Sequence, residues 1–88
     1  MTHAFYADAA EKIRTELTRG ERAAVETVRA SLEVDPAQGR RLPDAGPDSA
    51  SYVVELLPEA TGGRGISVVY RHSEELDAVL ILWLIAGP

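Results

Sequence analysis

The 88-residue chain is predicted to be a single α+β domain in which a helical hairpin packs on one face of a small, mainly antiparallel sheet. Three observations predict this class: helical periodicity in the first third, a loop rich in proline and glycine in the middle, and strand-like alternation in the last third. The predicted order of elements is β-α-α-β-β-β. One domain over residues 1–88 is expected, because so short a chain supports a single hydrophobic core.

Composition narrows the class of protein. Apolar residues make up 45% of the chain and charged residues 26%, which is typical of a globular domain rather than a disordered one. Because there is no cysteine, neither disulfides nor thiolate metal sites are expected, and the reducing cytoplasm is the predicted location. The N-terminus does not resemble a signal peptide, and the longest apolar run, Ala78–Ala86, is too short for a transmembrane helix. We therefore expect no membrane contact.

The net charge of −5 argues against a nucleic-acid-binding domain, which usually carries a basic patch. Residues 1–35 contain five basic and seven acidic side chains, and residues 36–88 contain four and seven. Neither half is basic. The four arginines of the second half all lie beside predicted strands, so a local cationic cluster on the sheet remains an open interpretation.

A short strand at Thr2–Tyr6 and then a first helix are predicted at the start of the chain. Asp8 and Glu11 have the spacing of a capping box. An apolar stripe with helical spacing follows and extends to about Thr18. Gly20 is the predicted stop of this helix, because glycine adopts a left-handed conformation at little cost.

A second helix is predicted over Glu21–Leu32, and the pair forms an antiparallel hairpin over about residues 8–33 because the connection is short. Asp35-Pro36 ends it, since the residue before proline is disfavoured in a helix. Residues 35–51 contain three prolines and two glycines and are predicted to be a loop.

The last third of the chain is predicted to be a three-stranded meander over residues 52–86. Alternating or apolar runs indicate the strands, and turn-forming residues separate them. The predicted strands are Tyr52–Leu57, Ile66–Arg71 and Ala78–Ala86, with turns at Thr61–Gly65 and His72–Asp77.

The last predicted strand is apolar on both faces. Alternation places Val79, Ile81, Trp83 and Ile85 on one face and Leu80, Leu82 and Leu84 on the other. A sheet with helices on one side usually carries polar residues on the other, and each large apolar side chain left exposed forgoes about 1.5–3 kcal/mol of burial. Two interpretations stay open: both faces are covered within the monomer, or a partner or second copy covers one. The small size of the chain favours a partner or a homodimer.

The order and spacing of several segments resemble the RelE/ParE-like toxins of bacterial type II toxin–antitoxin systems. The matching segments are Phe5–Glu11, Leu32–Pro36, Arg40–Leu42, Tyr52–Leu56, Gly65–Arg71 and the final apolar strand. The most characteristic piece is a helix end of the form Leu-x-x-Asp-Pro followed by a basic residue and leucine. The resemblance implies the predicted fold and a toxin neutralised by a cognate antitoxin, whose extended or helical tail wraps the domain.

The resemblance also implies candidate catalytic residues. Family members that cut messenger RNA on the ribosome use basic, tyrosine or glutamate side chains of the sheet as bases and as cations that stabilise the phosphate. The matching positions imply Arg71, Arg64 and His72. This chain departs from the family pattern where Val53 and Val54 replace basic residues, and no basic or aromatic residue ends the last strand. Both departures weigh against a ribonuclease and favour the other family target, DNA gyrase.

Partner contacts are predicted from the apolar strand and from the arginines before the meander. The predicted partner-binding residues are Leu80, Leu82, Trp83, Leu84, Arg40 and Arg41. Two histidines far apart in sequence and no cysteine predict no metal site, and no cofactor is predicted.

Two other functions remain as alternatives to a toxin. One is a degenerate family member without catalysis, which acts as a dimeric or partner-binding module through its apolar sheet face. The other is an unrelated α+β domain whose last strand completes an obligate oligomer.

Overall fold

A five-stranded sheet with two helices on one side forms the protein, and the computed structural model describes residues 2–43 and 50–87. The elements are β1 (His3–Tyr6), α1 (Asp8–Glu16), α2 (Arg19–Leu32), β2 (Arg40–Arg41), β3 (Ala50–Leu56), α3 (Pro58–Thr61), β4 (Ile66–Ser73) and β5 (Ala78–Ala86). The strand order is β1-β5-β4-β3-β2. The predicted α+β class and the order of its main elements are confirmed.

The sheet is mixed, although only one pair of strands is parallel. β1 lies parallel to β5, and all other neighbouring strands are antiparallel. This pattern follows the order of the strands along the chain, because antiparallel neighbours can be joined directly whereas a parallel pair needs a long crossover. The α1–α2 hairpin carries the chain from β1 at one edge of the sheet to β2 at the other.

The capping box predicted for α1 is wrong. Asp8 is the first residue of the helix, and its N-cap is Ala7, which makes no side-chain cap. Glu11 instead accepts a hydrogen bond from Arg14 Nε at 2.8 Å, one turn further along. The carboxylates at Asp8 and Glu11 still lie in the first turn, where the helix dipole favours negative charge.

The capping box belongs to α2, which begins earlier than predicted. Thr18 is the N-cap: its Oγ1 accepts from the Glu21 N–H at 3.2 Å, and Glu21 Oε1 accepts from the Thr18 N–H at 2.8 Å. Gly20 therefore lies inside the first turn and does not stop α1, which ends at Glu16. A Cβ at Gly20 would come within 2.7 Å of the Thr61 carbonyl oxygen, so glycine is needed for the close approach of α2 and α3.

Two short elements were not predicted from the sequence. β2 lies inside the predicted loop 35–51, and β3 begins at Ala50, while residues 44–49 lie outside the described residues. The one-turn helix α3 follows β3 and ends at Gly62, whose φ of 71° is a left-handed conformation that glycine favours.

The hydrophobic core lies between the helices and one face of the sheet. Apolar residues of α1 and α2 pack there against alternate residues of β1, β4 and β5. Its buried members are Ala4, Ala10, Leu17, Val25, Val28, Leu32, Ile66, Val68, Tyr70, Val79, Ile81 and Leu84. All large apolar contacts of the helices are therefore made on a single side of the sheet.

A β-bulge at Leu82 changes the predicted faces of β5. Ile81 pairs with Tyr70 and Trp83 pairs with Val69, so Leu82 has no residue opposite it in β4. Such an extra residue shifts the alternation by one position. Leu84 consequently joins Ile81 in the core with 3% exposure, and Trp83 faces the other side, contrary to the predicted alternation.

Candidate functional site: the open face of the sheet

The side of the sheet opposite the helices, here called the open face, carries large apolar side chains. Phe5 is 54% exposed, Leu80 40%, Trp83 54% and Ile85 57%. They lie on two adjacent strands, β1 and β5, and Phe5 is the register partner of Leu80. Adjacent exposed apolar side chains of this size are typical of a protein-binding surface.

Two rows of side chains cross the open face. One row joins Phe5 and Leu80 to Arg71 and Ser51, and the other joins Trp83 to Val69, Val53 and Arg40. Cross-strand neighbours on one face of a sheet touch each other. Each row therefore runs from an apolar end at β1 or β5 to a more polar end at β2 or β3.

Arg71 lies in the first row, next to Leu80. Its side chain is exposed, and within residues 2–43 and 50–87 it forms no hydrogen bond or ion pair. Arg71 therefore offers a cation at the border of the apolar surface, where it can contact a carboxylate or a phosphate.

His72 and Arg64 do not join Arg71 in one cluster. His72 is the next residue of β4 and points to the opposite side of the sheet, where its register partner is the buried Val79. Arg64 precedes Ile66, the first residue of β4. At about 3.3 Å per residue, the strand spans roughly 17 Å from Ile66 to Arg71, so Arg64 and Arg71 lie far apart. The structure thus places only Arg71, among the three predicted catalytic residues, on the open face.

Arg64 is held by Glu21, a buried carboxylate that is only 1% exposed. Arg64 donates to Glu21 from its backbone N–H at 3.0 Å, from Nε at 3.1 Å and from Nη2 at 3.2 Å. These bonds, together with the one from the Thr18 N–H, lower the pKa of Glu21 to about 2, with the Arg64 side chain as the largest cause. This ion pair fixes the start of α2 against the turn before β4, which is a structural role.

Sequence reasoning missed Glu21 as a site residue, although one signal was present. Thr18 and Glu21 have the Thr-x-x-Glu spacing of a capping box. In the folded chain, a Cβ at Gly63 would come within 2.9 Å of Glu21 Oε2. The glycine-rich turn is therefore shaped to let its backbone approach the carboxylate.

Arg40 and Arg41, predicted as partner contacts, form the short edge strand β2 and are both exposed. Arg40 Nη2 lies 3.1 Å from Glu55 Oε1 in an ion pair that is more than half exposed on both sides. Exposed pairs of this kind contribute little to stability, about 1 kcal/mol or less. Both arginines therefore remain accessible to a partner.

Tyr52 and Tyr70 lie on the helix side, where they stack with ring centroids 5.3 Å apart. Tyr70 is fully buried, its hydroxyl donates to the Pro36 carbonyl at 2.8 Å, and it accepts from the Gly39 N–H at 3.1 Å. Burial is the largest cause that raises the pKa of Tyr70. Both tyrosines pack in the interior and are absent from the open face.

Among residues 2–43 and 50–87, no group of three His, Asp or Glu side chains has the arrangement of a metal site. No helix there is both long and apolar enough to cross a membrane.

Comparison with solved structures identifies the fold. The structure matches a chain of the intact RelBE toxin–antitoxin complex from E. coli with a TM-score of 0.77 and 16% identity. The match covers 100% of this chain and 99% of that chain. It matches the RelE–RelB complex of Pyrococcus horikoshii with a TM-score of 0.76 and 18% identity over 97% of this chain and 93% of that chain. The isolated E. coli RelE toxin matches with a TM-score of 0.73 and 15% identity, over 100% of this chain and 86% of that chain.

The chain thus has the fold of RelE toxins. At the level of sequence no family model matches it, and no curated protein matches it. The fold and the open face together define a small α+β domain with one apolar surface, bordered by a single unpaired arginine among its described residues. Such a surface is suited to binding a protein.

Proposed function

We propose that this chain is the toxin of a toxin–antitoxin pair and that its antitoxin binds the open face. The observation that carries the proposal is the open face itself, where Phe5, Leu80, Trp83 and Ile85 remain 40–57% exposed. The similar structures from E. coli and P. horikoshii are complexes of RelE with RelB. A toxin that is stored with an antitoxin has a reason to keep such a surface available.

The composition of the open face favours a protein partner. Trp83 and Phe5 are aromatic residues of the kind that dominate binding energy at protein interfaces. Arg71 lies at the border of the apolar surface, where it can pair with a carboxylate of the partner. The overall charge of −5 makes a partner with basic segments favourable as well.

Complex formation with the product of an adjacent small open reading frame tests the antitoxin part of the proposal. We expect Trp83→Ser to weaken the complex at least tenfold, measured by calorimetry. Leu76→Ser is the matched control, because Leu76 is also exposed but lies in the turn between β4 and β5. Equal losses for the two variants would contradict binding at the open face.

The proposed target is either messenger RNA at the translating ribosome or DNA gyrase, in the cytoplasm that the lack of cysteine favours. Arg71 is the residue we propose for target contact, since it forms no ion pair with any described residue. Induction of the chain alone in a heterologous bacterium is expected to arrest growth, and Arg71→Ala to relieve the arrest. Loss of methionine incorporation would indicate the ribosome, whereas loss of plasmid supercoiling would indicate gyrase.

A second function, a dimeric or partner-binding module without catalysis, is favoured by the placement of the predicted catalytic residues. Arg64 is bound to Glu21, and His72 points to the helix side, so neither accompanies Arg71 on the open face. Normal growth with confirmed soluble expression, together with a dimer in sedimentation experiments, would support this module and contradict the toxin.

A further inference from the structure

The two edges of the sheet differ in whether their backbone groups are paired. At the β1 edge, the Ala4 N–H donates to Glu33 Oε2 at 3.1 Å, and the Ala4 carbonyl accepts from Arg29 Nη1 at 3.2 Å. Arg29 and Glu33 are themselves an ion pair at 3.4 Å on α2. Side chains of the helix thus occupy, at Ala4, the positions that a further strand would take, which covers the middle of this edge.

The opposite edge is covered over only part of its length. β2 has two residues, Arg40 and Arg41, which pair with Val53 and Tyr52. The Ser51 carbonyl accepts from the Leu42 N–H at 2.8 Å, so the backbone groups of Ser51 point towards β2. Because these groups alternate along a strand, those of Val53 and Glu55 point the same way, away from β4.

Glu55 is the position where this edge becomes open. Continuing the register of β2 would place Gln38 opposite Glu55, but the Gln38 N–H bonds to the Asp35 carbonyl at 3.3 Å as the chain turns away. Among the described residues, no hydrogen bond reaches the Glu55 N–H or carbonyl across this edge. A groove of about 310 Å³, lined by Gln38, Gly39 and Arg40 on one wall, separates the two segments.

We propose that the β3 edge at Glu55 binds an extended segment of a partner polypeptide, which adds to the sheet as a strand in line with β2. The N–H and carbonyl of Glu55, which no other described residue binds across this edge, supply the main-chain hydrogen bonds that such strand addition requires. A second groove, of about 280 Å³, crosses the end of the sheet between Glu55, Ser67 and Ile85. The first groove, beside Gln38 and Gly39, is therefore the one that lies along the open backbone groups.

The surroundings of the edge specify the chemistry of the segment. The residue paired with Glu55 would lie on the same side of the sheet as the Glu55 carboxylate, which already forms an ion pair with Arg40, so a polar residue that can hydrogen-bond to this pair is favoured there. Its two neighbours would lie on the helix side beside Val54 and Leu56, which favours apolar residues. The expected pattern is apolar-polar-apolar. The inference rests on the proposed function in one respect, because the antitoxin is the partner expected to supply this segment.

Proline at position 55 gives a direct test. Glu55→Pro removes the N–H that points outwards, and proline is tolerated at a sheet edge where no ladder bond is lost. Glu55→Ala is the matched control, since it removes the carboxylate but keeps the N–H. We would pan a phage-displayed library of linear dodecapeptides on the wild type and measure binding of the selected peptides to both variants.

Selected peptides are expected to bind the wild type, to bind Glu55→Ala with at most about threefold loss and to bind Glu55→Pro at least tenfold more weakly. They are also expected to slow hydrogen exchange of the Glu55 amide at least tenfold, while the Val54 amide, already bonded to β4, is unaffected. Hydrogen exchange of the Glu55 amide is measured in the wild type with and without peptide. It therefore tests strand addition even if Glu55→Pro does not fold. No selected peptide, or one that leaves Glu55 exchange unchanged, would overturn the inference.

The cognate antitoxin separates this inference from the proposed function. Peptides that protect Glu55 while no antitoxin neutralises the chain would leave strand addition standing and refute the toxin–antitoxin assignment. An antitoxin that neutralises wild type and Glu55→Pro with equal affinity would support the proposed function and overturn strand addition.

Discussion

Trp83 and Leu84 are consecutive residues of β5, yet Trp83 is 54% exposed and Leu84 only 3%. The two belong to opposite sides of one sheet. On the helix side, apolar residues are buried, and the buried carboxylate Glu21 has its hydrogen bonds satisfied. On the open face, apolar side chains of the same size remain 40–57% exposed. The helix side thus provides stability, and the open face remains available for binding.

The largest expected effect comes from placing a charge on each side of the sheet in turn. Leu84→Glu would bury a carboxylate in the core without a partner, and we expect a loss above about 4 kcal/mol and an unfolded chain. Leu80→Glu, on the open face, is expected to cost about 1 kcal/mol or less. Circular dichroism with thermal unfolding distinguishes the two. If Leu80→Glu also unfolds the chain, the open face is covered within the monomer.

The next effect is the contribution of Glu21 to stability and its dependence on pH. The pKa of Glu21 is about 2 in the folded chain, below its ordinary value, mainly because Arg64 donates hydrogen bonds to it. In the pH range between the folded and the ordinary pKa, the unfolded chain binds more protons, so stability is fully present at neutral pH and is lost as the pH falls towards 2. Glu21→Gln is expected to be less stable at pH 7 than the wild type and to lose less stability on acidification.

Urea unfolding of wild type and Glu21→Gln between pH 7 and pH 2 measures this difference. Arginine or tyrosine partners also lower the pKa of Glu11 and Glu26, but those carboxylates are present in both proteins and cancel in the comparison. Parallel curves for the two proteins would show that the Glu21–Arg64 ion pair carries no pH dependence.

The order of elements was predictable from the sequence because hydrophobic periodicity specifies it. The positions of side chains on β5 were not, because the bulge at Leu82 depends on pairing with β4, a contact remote in sequence. The same limit explains Arg64: the family resemblance implied a catalytic role for it, but only the folded chain brings Glu21 next to it. Arg71 lies on the open face, opposite Ser51 and Leu80, a position that also depends on the pairing of β4 with its neighbours.

A smaller effect tests the polar contacts on the helix side. Tyr70→Phe would leave the Pro36 carbonyl and the Gly39 N–H without their side-chain partner. We expect a loss of about 1–3 kcal/mol, typical of unsatisfied buried groups. Tyr52→Phe is the matched control: its ring stacks on Tyr70, and within the described residues its hydroxyl makes no hydrogen bond. Equal losses for the two variants would show that the hydrogen bonds of the Tyr70 hydroxyl do not account for the effect.

The smallest effect on stability is expected at the most prominent residue of the open face. Trp83→Ser removes a large aromatic side chain, but more than half of it is exposed, so only part of its burial is lost and the expected cost is about 1–2 kcal/mol. Denaturant unfolding measures this cost, and a loss of several kcal/mol would show that Trp83 is part of the folding core. A small loss of stability together with a large loss of partner binding would show that the two sides of β5 have separate roles. Retaining an exposed tryptophan that contributes so little to folding is then explained by the partner it binds.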